Sequence, residues 1–129
     1  VWDLFAGTGA MGIEALSRGA ERCVFVENSK SALTVLRANI DALALGTRSR
    51  VVSGSAIGQS CDDADIVIAD PPYGFDKWNE LLERLGKCLV VAESGGTLPS
   101  IDDWDVLRER KYGRTVVTFL RRMSAQQVP

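Results

Sequence analysis

Short apolar runs alternate along the chain with stretches of helical period. Cys23-Val24-Phe25-Val26, Ile66-Val67-Ile68-Ala69 and Cys88-Leu89-Val90-Val91-Ala92 are unbroken. Runs of this length suit strands of a parallel sheet covered on both faces. Val1 to Ala6 is expected as a first strand and Arg50 to Ser53 as a weaker one. Leu33, Leu36, Ile40 and Leu43 form one helical stripe; Trp78, Leu81, Leu82 and Leu85 form another. Ile13, Leu16 and Ala20 mark a short helix after a glycine cluster. The order β-α-β-α-β-β-α-β predicts a doubly wound, mostly parallel α/β sheet. Trp104 to Lys111 and Arg114 to Leu120 flank Tyr112-Gly113 and predict an antiparallel hairpin at the end of the chain. One domain is expected over residues 1–129, with Ser124 to Pro129 as a frayed tail. Val1 already stands inside the first expected strand, so a segment ahead of it is expected.

Composition narrows the chemistry. The 129 residues carry a net charge of −2, which points by itself to neither nucleic acid nor membrane. No apolar run reaches the ~20 residues of a membrane span, and no signal peptide opens the sequence. Cys23, Cys61 and Cys88 lack CxxC spacing, which argues against disulfides or a thiolate metal site and fits the cytoplasm. There is no histidine, so triads, Cys-His pairs and HExxH zinc sites are excluded. An enzyme of this composition works with carboxylates, backbone groups or a cofactor.

The first strand runs into Asp3-Leu4-Phe5-Ala6-Gly7-Thr8-Gly9-Ala10-Met11-Gly12. Gly7, Gly9 and Gly12 make a GxGxxG between a strand and a helix, where the backbone turns tightly and approaches a ligand. The second strand ends in Glu27, placed to accept hydrogen bonds from ribose hydroxyls. A dinucleotide would set its pyrophosphate on the helix N-terminus. S-adenosylmethionine has no phosphate, and Asp3 favours it, because a carboxylate there pairs with the cationic amino end of the methionine moiety. Asp3 can instead cap the helix or brace the loop.

The fourth strand ends in Asp70-Pro71-Pro72-Tyr73. The prolines fix the backbone at the carboxyl end of a central strand, where open α/β sheets bind ligands. Methylation of a planar amino nitrogen suits this arrangement. The nitrogen lone pair is delocalised. Asp70 and the Pro71 carbonyl accept its two N–H bonds, localise the lone pair and stabilise the positive charge that grows there. Tyr73 offers a face for stacking the base, or else packs in the core.

These motifs together resemble the bacterial 16S ribosomal RNA guanine-N2 methyltransferases (RsmD type), class I S-adenosylmethionine-dependent enzymes with a Rossmann-like sheet. The run from Asp3 through Ala20 carries the resemblance; Val26-Glu27, Asp70 to Tyr73, Glu93-Ser94 and the final hairpin continue it. It implies methyl transfer to the exocyclic N2 of a guanine in 16S ribosomal RNA, within an assembled small-subunit particle, by a monomer that needs no metal. It implies a seven-stranded sheet with its last strand antiparallel. It places Asp3, Ala6, Gly7, Thr8, Gly9, Glu27, Asn28, Ser55 and Ala56 at the cofactor, and Asp70, Pro71, Pro72 and Tyr73 at the guanine. Ser55-Ala56 departs from the family's usual Asp or Asn, which weakens the contact to the adenine amine. Ile57 to Ala64 is short enough for its usual helix to shrink to a turn. The family's basic N-terminal arm is not in this chain.

From Asp105 onward six basic residues face two acidic ones: Arg108, Arg110, Lys111, Arg114, Arg121 and Arg122 against Asp105 and Glu109. Such a hairpin either meets phosphates or protects a sheet edge with charge. Trp78 is expected in the core, Cys23 and Cys88 as inert buried thiols, and Arg18 and Arg22 on the surface. Glu93 ends the fifth strand on the cleft side and either shapes the site or starts a helix. DNA adenine or cytosine methylation, protein glutamine methylation, nicotinamide-dependent oxidoreduction and non-catalytic binding are the rival functions.

Overall fold

A computed structural model describes residues 1–123. The expected tail from Ser124 to Pro129 lies outside the described residues. Seven strands form one sheet: β1 (Trp2–Asp3), β2 (Cys23–Glu27), β3 (Ser49–Ser53), β4 (Ile66–Ala69), β5 (Leu89–Ser94), β6 (Trp104–Tyr112) and β7 (Thr115–Arg122). Their spatial order is β3-β2-β1-β4-β5-β7-β6. The first five are parallel; β7 runs antiparallel to β5, and β6 antiparallel to β7. The expected doubly wound sheet with a terminal hairpin is therefore the observed one. The hairpin folds back so that its second strand, not its first, lies beside β5, and its first forms the sheet edge. Gly113, at φ +62°, begins the two-residue turn between Tyr112 and Thr115.

Helices α1 (Ala10–Ser17), α2 (Lys30–Ala42) and α3 (Trp78–Leu82) connect the strands. Leu16 of α1 and Leu33, Leu36 and Ile40 of α2 pack with Phe25 on one face of the sheet. Trp78, Leu81, Leu82 and Leu85 pack with Val67, Val90, Trp104 and Leu120 on the other. Both stripes read from the sequence are thus core faces, and Trp78, Cys23 and Cys88 are buried as expected. Residues Ile57 to Ala64 hold no helix, again as expected.

Several boundaries differ. The first strand is two residues long, not six, although Leu4 N–H still reaches Ile68 O and Ala6 N–H reaches Val26 O, each at 3.0 Å. The chain turns away early to begin the glycine loop. The stripe of α2 stops at Ile40. Leu43 is exposed because Ala44 adopts φ +54° and ends the helix in a Schellman motif, with Leu45 N–H on Ile40 O and Ala44 N–H on Asp41 O. The helix around Trp78 ends at Leu82, with Leu85 following in a turn.

Arg122 also departs from its reading as a free cation of the hairpin. It donates to Leu85 O at 2.8 Å, Glu83 O at 3.0 Å and Leu82 O at 3.1 Å, and lies 5.0 Å from the Trp104 ring. It satisfies the carbonyls that the end of α3 leaves open. Arg48 does the same for α1, donating to Leu16 O and Ala20 O. The rest of the basic set, Arg108, Arg110, Lys111, Arg114 and Arg121, is exposed. Among the described residues no helix is long and apolar enough to cross a membrane.

Candidate active site

The site lies at the carboxyl ends of the parallel strands, where the strand order reverses between β1 and β4. Gly7 and Gly9 take φ +57° and +93°, conformations that favour glycine, and carry the chain from β1 into α1. Gly12 serves packing: a Cβ there would stand 2.3 Å from the Phe25 ring and 2.8 Å from Cys23 Sγ, so only glycine lets α1 lie on β2. The loop is pinned from three directions. Gly7 N–H donates to Glu27 Oε1 at 2.8 Å, Gly12 N–H donates to Asp3 Oδ2 at 3.1 Å, and Asn39 Nδ2 of α2 donates to Thr8 O at 2.9 Å.

Asp3 is buried, at 1% exposure. It reaches into the first turn of α1, whose own N-cap, Gly9, has no side chain to offer. The loop-bracing role weighed from the sequence is therefore present in the geometry. It uses only one oxygen, because Oδ1 is buried without a partner. Burial, chiefly, pushes the Asp3 carboxyl up to about 6, against the lowering effect of the Gly12 N–H. Glu27 is similarly occupied: beyond Gly7, its Oε2 accepts from Asn28 N–H and Ser29 N–H at 2.9 and 2.8 Å. Oε1 keeps one acceptor direction open.

A cleft of about 530 Å³ follows, lined by Glu27, Asn28, Ser55, Ala56, Ile57, Asp70 and Pro72 with Phe5, Phe75 and Lys77. Ser55 Oγ accepts from Ile57 N–H at 3.1 Å and so braces its own turn. Of the nine residues expected at the cofactor, Glu27, Asn28, Ser55 and Ala56 line this cleft. Asp3, Ala6, Gly7, Thr8 and Gly9 do not; they form the loop and its support beside it.

A second cleft, of about 360 Å³, shares Asp70, Pro72 and Phe75 with the first and adds Pro71, Tyr73, Glu93, Ser94, Arg114 and Thr115. The Asp-Pro-Pro-Tyr exit is thus the partition between two openings. Phe75 N–H donates to Pro72 O at 3.2 Å, closing a turn in which Gly74 has φ +83°. That turn thrusts Tyr73 into solvent, fully exposed, so the core-packing alternative for this ring is excluded. Phe75 folds inward and contacts Phe5 and Trp78 edge-on, with centroids 5.4 and 5.1 Å away. Sequence reading missed Phe75, Asn39 and Lys77. Phe75 carried one visible signal, an apolar residue two positions beyond the exposed Tyr73 and immediately after a glycine. Partial burial raises the Asp70 carboxyl above the usual range; Glu93 is raised by burial and then by the Asp70 charge.

The sheet order, the glycine loop and the Asp-Pro-Pro-Tyr partition define a class I methyltransferase fold. The chain belongs to the family described as Conserved hypothetical protein 95, which matches residues 1–121. It is 32% identical to the Ribosomal RNA small subunit methyltransferase D of Escherichia coli strain K12, over 93% of this chain and 67% of that protein. A conserved hypothetical protein from Streptococcus pyogenes superposes with a TM-score of 0.78 at 30% identity, covering 94% of this chain and 84% of that one. An RNA methyltransferase from Salinibacter ruber, solved with S-adenosyl-L-homocysteine, shares the fold with a TM-score of 0.77 at 18% identity, over 99% and 82% of the two chains.

Proposed function

We propose that this protein transfers a methyl group from S-adenosyl-L-methionine to the exocyclic N2 of a guanine in 16S ribosomal RNA, within an assembled small-subunit particle in the cytoplasm. The observation that carries the reading is the pair of clefts meeting at Asp70 and Pro72. One suits a methyl donor and the other a base. The donor residues fit the group. The unpartnered Asp3 Oδ1 is an acceptor without a donor, as the ammonium of the methionine moiety requires. The free direction of Glu27 Oε1 suits a ribose hydroxyl, and Ala56 and Ile57 offer an apolar wall for the adenine. A pyrophosphate beside Asp3 would add charge to a carboxylate already starved of partners, which disfavours a nicotinamide dinucleotide.

S-adenosyl-L-methionine supplies an electrophilic methyl on a sulfonium. The protein's part is positioning and charge. Asp70 and the Pro71 carbonyl accept the N–H bonds of the amine and aim its lone pair at the methyl carbon. The nitrogen would gain positive charge as it takes the methyl, and the proton it then sheds would pass along its N–H···O bond to the Asp70 carboxylate. Tyr73, fully exposed, is available to stack on the base. The relatives named as small-subunit ribosomal RNA methyltransferases support this choice of substrate.

The test is mass spectrometry of ribosomal RNA nucleosides from cells with and without the full-length protein. Loss of one N2-methylguanosine from 16S ribosomal RNA is expected. An unchanged guanine inventory with loss of another methylated base would overturn the assignment. Calorimetry with S-adenosylhomocysteine and with NAD separates the donor classes, and binding of NAD alone would defeat the methyltransferase reading.

A further inference from the structure

Glu93 stands where no step above uses it. In the parallel ladder of β4 and β5, Ala69 is the register partner of Ala92. Asp70 and Glu93 each follow by one residue. The two carboxylates therefore leave neighbouring strands at the same level, where strand spacing is ~4.8 Å. Both line the second cleft, and Glu93 does not line the first. Neither carboxylate accepts a hydrogen bond from a side chain or salt-bridges to a cation among the described residues. Glu93 is held on a paired strand, since it faces Val117 of β7, and Ser94 Oγ fixes the following turn by donating to Gly96 O at 2.6 Å. The helix start considered for Glu93 is not there: residues 95–103 hold no helix.

Two adjacent carboxylates facing one cleft call for a ligand edge with adjacent donors. Among the bases, guanine alone presents N1–H beside an exocyclic N–H₂. Adenine and cytosine place a ring acceptor, N1 or N3, beside their amine, and a carboxylate repels it. We propose that Glu93 accepts the N1–H of the target guanine while Asp70 and the Pro71 carbonyl hold its N2 amine, so that Glu93 selects guanine over every other amino-bearing base. The inference rests on the proposed guanine-N2 reading and adds the residue that makes it specific. Burial and the charge of Asp70 both raise the Glu93 carboxyl, as expected of an acceptor waiting for its donor. Arg114 also lines this cleft.

The discriminating substrate is RNA carrying 2-aminopurine at the methylated position. That base keeps the N2 amine but has an acceptor at N1. The full-length protein, wild type and Glu93→Gln, is assayed on small-subunit particles with guanine or 2-aminopurine at that position, after mass spectrometry has located it. Wild type should prefer guanine by about 100-fold in kcat/KM, within the range of a well-made base contact. Glu93→Gln can turn an N–H toward the acceptor, so the preference should collapse to about fivefold or less. Glu93→Asp keeps the charge and should retain the preference at a lower rate. The readout is a ratio on one enzyme sample, so a reduced folded fraction cancels. An unaltered ratio in Glu93→Gln, with N2-methylguanosine still the product, overturns the role of Glu93 alone. A wild-type product other than N2-methylguanosine overturns the guanine reading itself.

Discussion

Asp3 Oδ2 accepts the Gly12 N–H at 3.1 Å inside the protein, tying the end of the first strand to the first turn of the first helix. The other oxygen of the same carboxylate has no partner. One side chain thus braces the glycine loop with one oxygen while the other stays buried without a partner.

Folding raises the Asp3 carboxyl from the ordinary carboxylate value to about 6. Below about pH 4 the group is protonated in both the folded and the unfolded chain, and its contribution to stability is complete. Between pH 4 and 6 the unfolded chain gives up its proton first. Stability therefore falls as pH rises through this window, by about 3 kcal/mol at ~1.4 kcal/mol per unit. Asp3→Asn keeps an acceptor for Gly12 but has no proton to lose. Urea unfolding at pH 4, 5, 6 and 7 should show a smaller decline for Asp3→Asn than for wild type. Parallel curves would remove Asp3 as the source.

In the proposed function the same titration reports on the donor site. An ammonium beside Asp3 favours the ionised form, so S-adenosylhomocysteine affinity should rise about fivefold from pH 5 to pH 6 in wild type. Asp3→Asn should bind more weakly and lack that rise. Calorimetry across this range checks both, and a pH-independent wild-type affinity would place the amino group elsewhere.

The basic hairpin divides into two parts. Arg122 carries three carbonyl contacts and a ring contact, so Arg122→Ala should lower stability by about 2–4 kcal/mol, the scale of charged hydrogen bonds with a cation–π term. Arg110→Ala with Lys111→Ala should leave stability within about 0.5 kcal/mol, because both side chains are exposed. In the proposed function that double variant should instead bind particles more weakly and with a shallower salt dependence. Denaturant melts and binding at two salt concentrations separate the two behaviours.

Ala44 sits where a Schellman motif favours glycine, at φ +54°. A left-handed residue with a Cβ costs roughly 1–2 kcal/mol, part of which glycine returns through its freer unfolded chain. Ala44→Gly should stabilise the protein by about 0.5–1 kcal/mol in the same melts. No gain would mean that the turn around Leu45 relaxes to accommodate alanine.

The parts legible in the sequence are those written in local pattern. Unbroken apolar runs located the strands, two helical stripes located the sheet's covering faces, and Gly7, Gly9 and Gly12 located the glycine loop. Asp70 to Tyr73 was legible because prolines after a buried strand leave few conformations. The illegible parts depend on the assembled fold. Arg122 reaches carbonyls about forty residues away, so its charge looked like any other in the hairpin. Leu43 fitted the helical stripe, but the helix ends just before it, in a turn closed by the left-handed Ala44. The support of the glycine loop by Asn39 crosses 31 residues and leaves no periodic trace.

Tyr73 offers the sharpest separation of activity from stability. Its ring is fully exposed at the tip of the Pro72–Phe75 turn, beside Asp70 and on the second cleft. Removing an exposed side chain changes stability by no more than about 0.5 kcal/mol. Removing a stacking partner costs about 1–3 kcal/mol of base binding. Tyr73→Ala should therefore melt like wild type and bind S-adenosylhomocysteine like wild type, yet lose roughly 5- to 150-fold in kcat/KM on particles, by the same stacking scale. Tyr73→Phe should stay within about threefold, since stacking uses the face and not the hydroxyl. Asp70→Ala should differ in kind. In the proposed function it removes an acceptor from the amine itself, so kcat should fall by about 100-fold or more with donor affinity largely kept. Asp70→Asn, whose carbonyl still accepts one N–H, should fall between. Steady-state kinetics on the same undermethylated particles distinguish these patterns. Equal losses for Tyr73→Phe and Tyr73→Ala would show that the phenol hydroxyl, rather than the ring, meets the substrate.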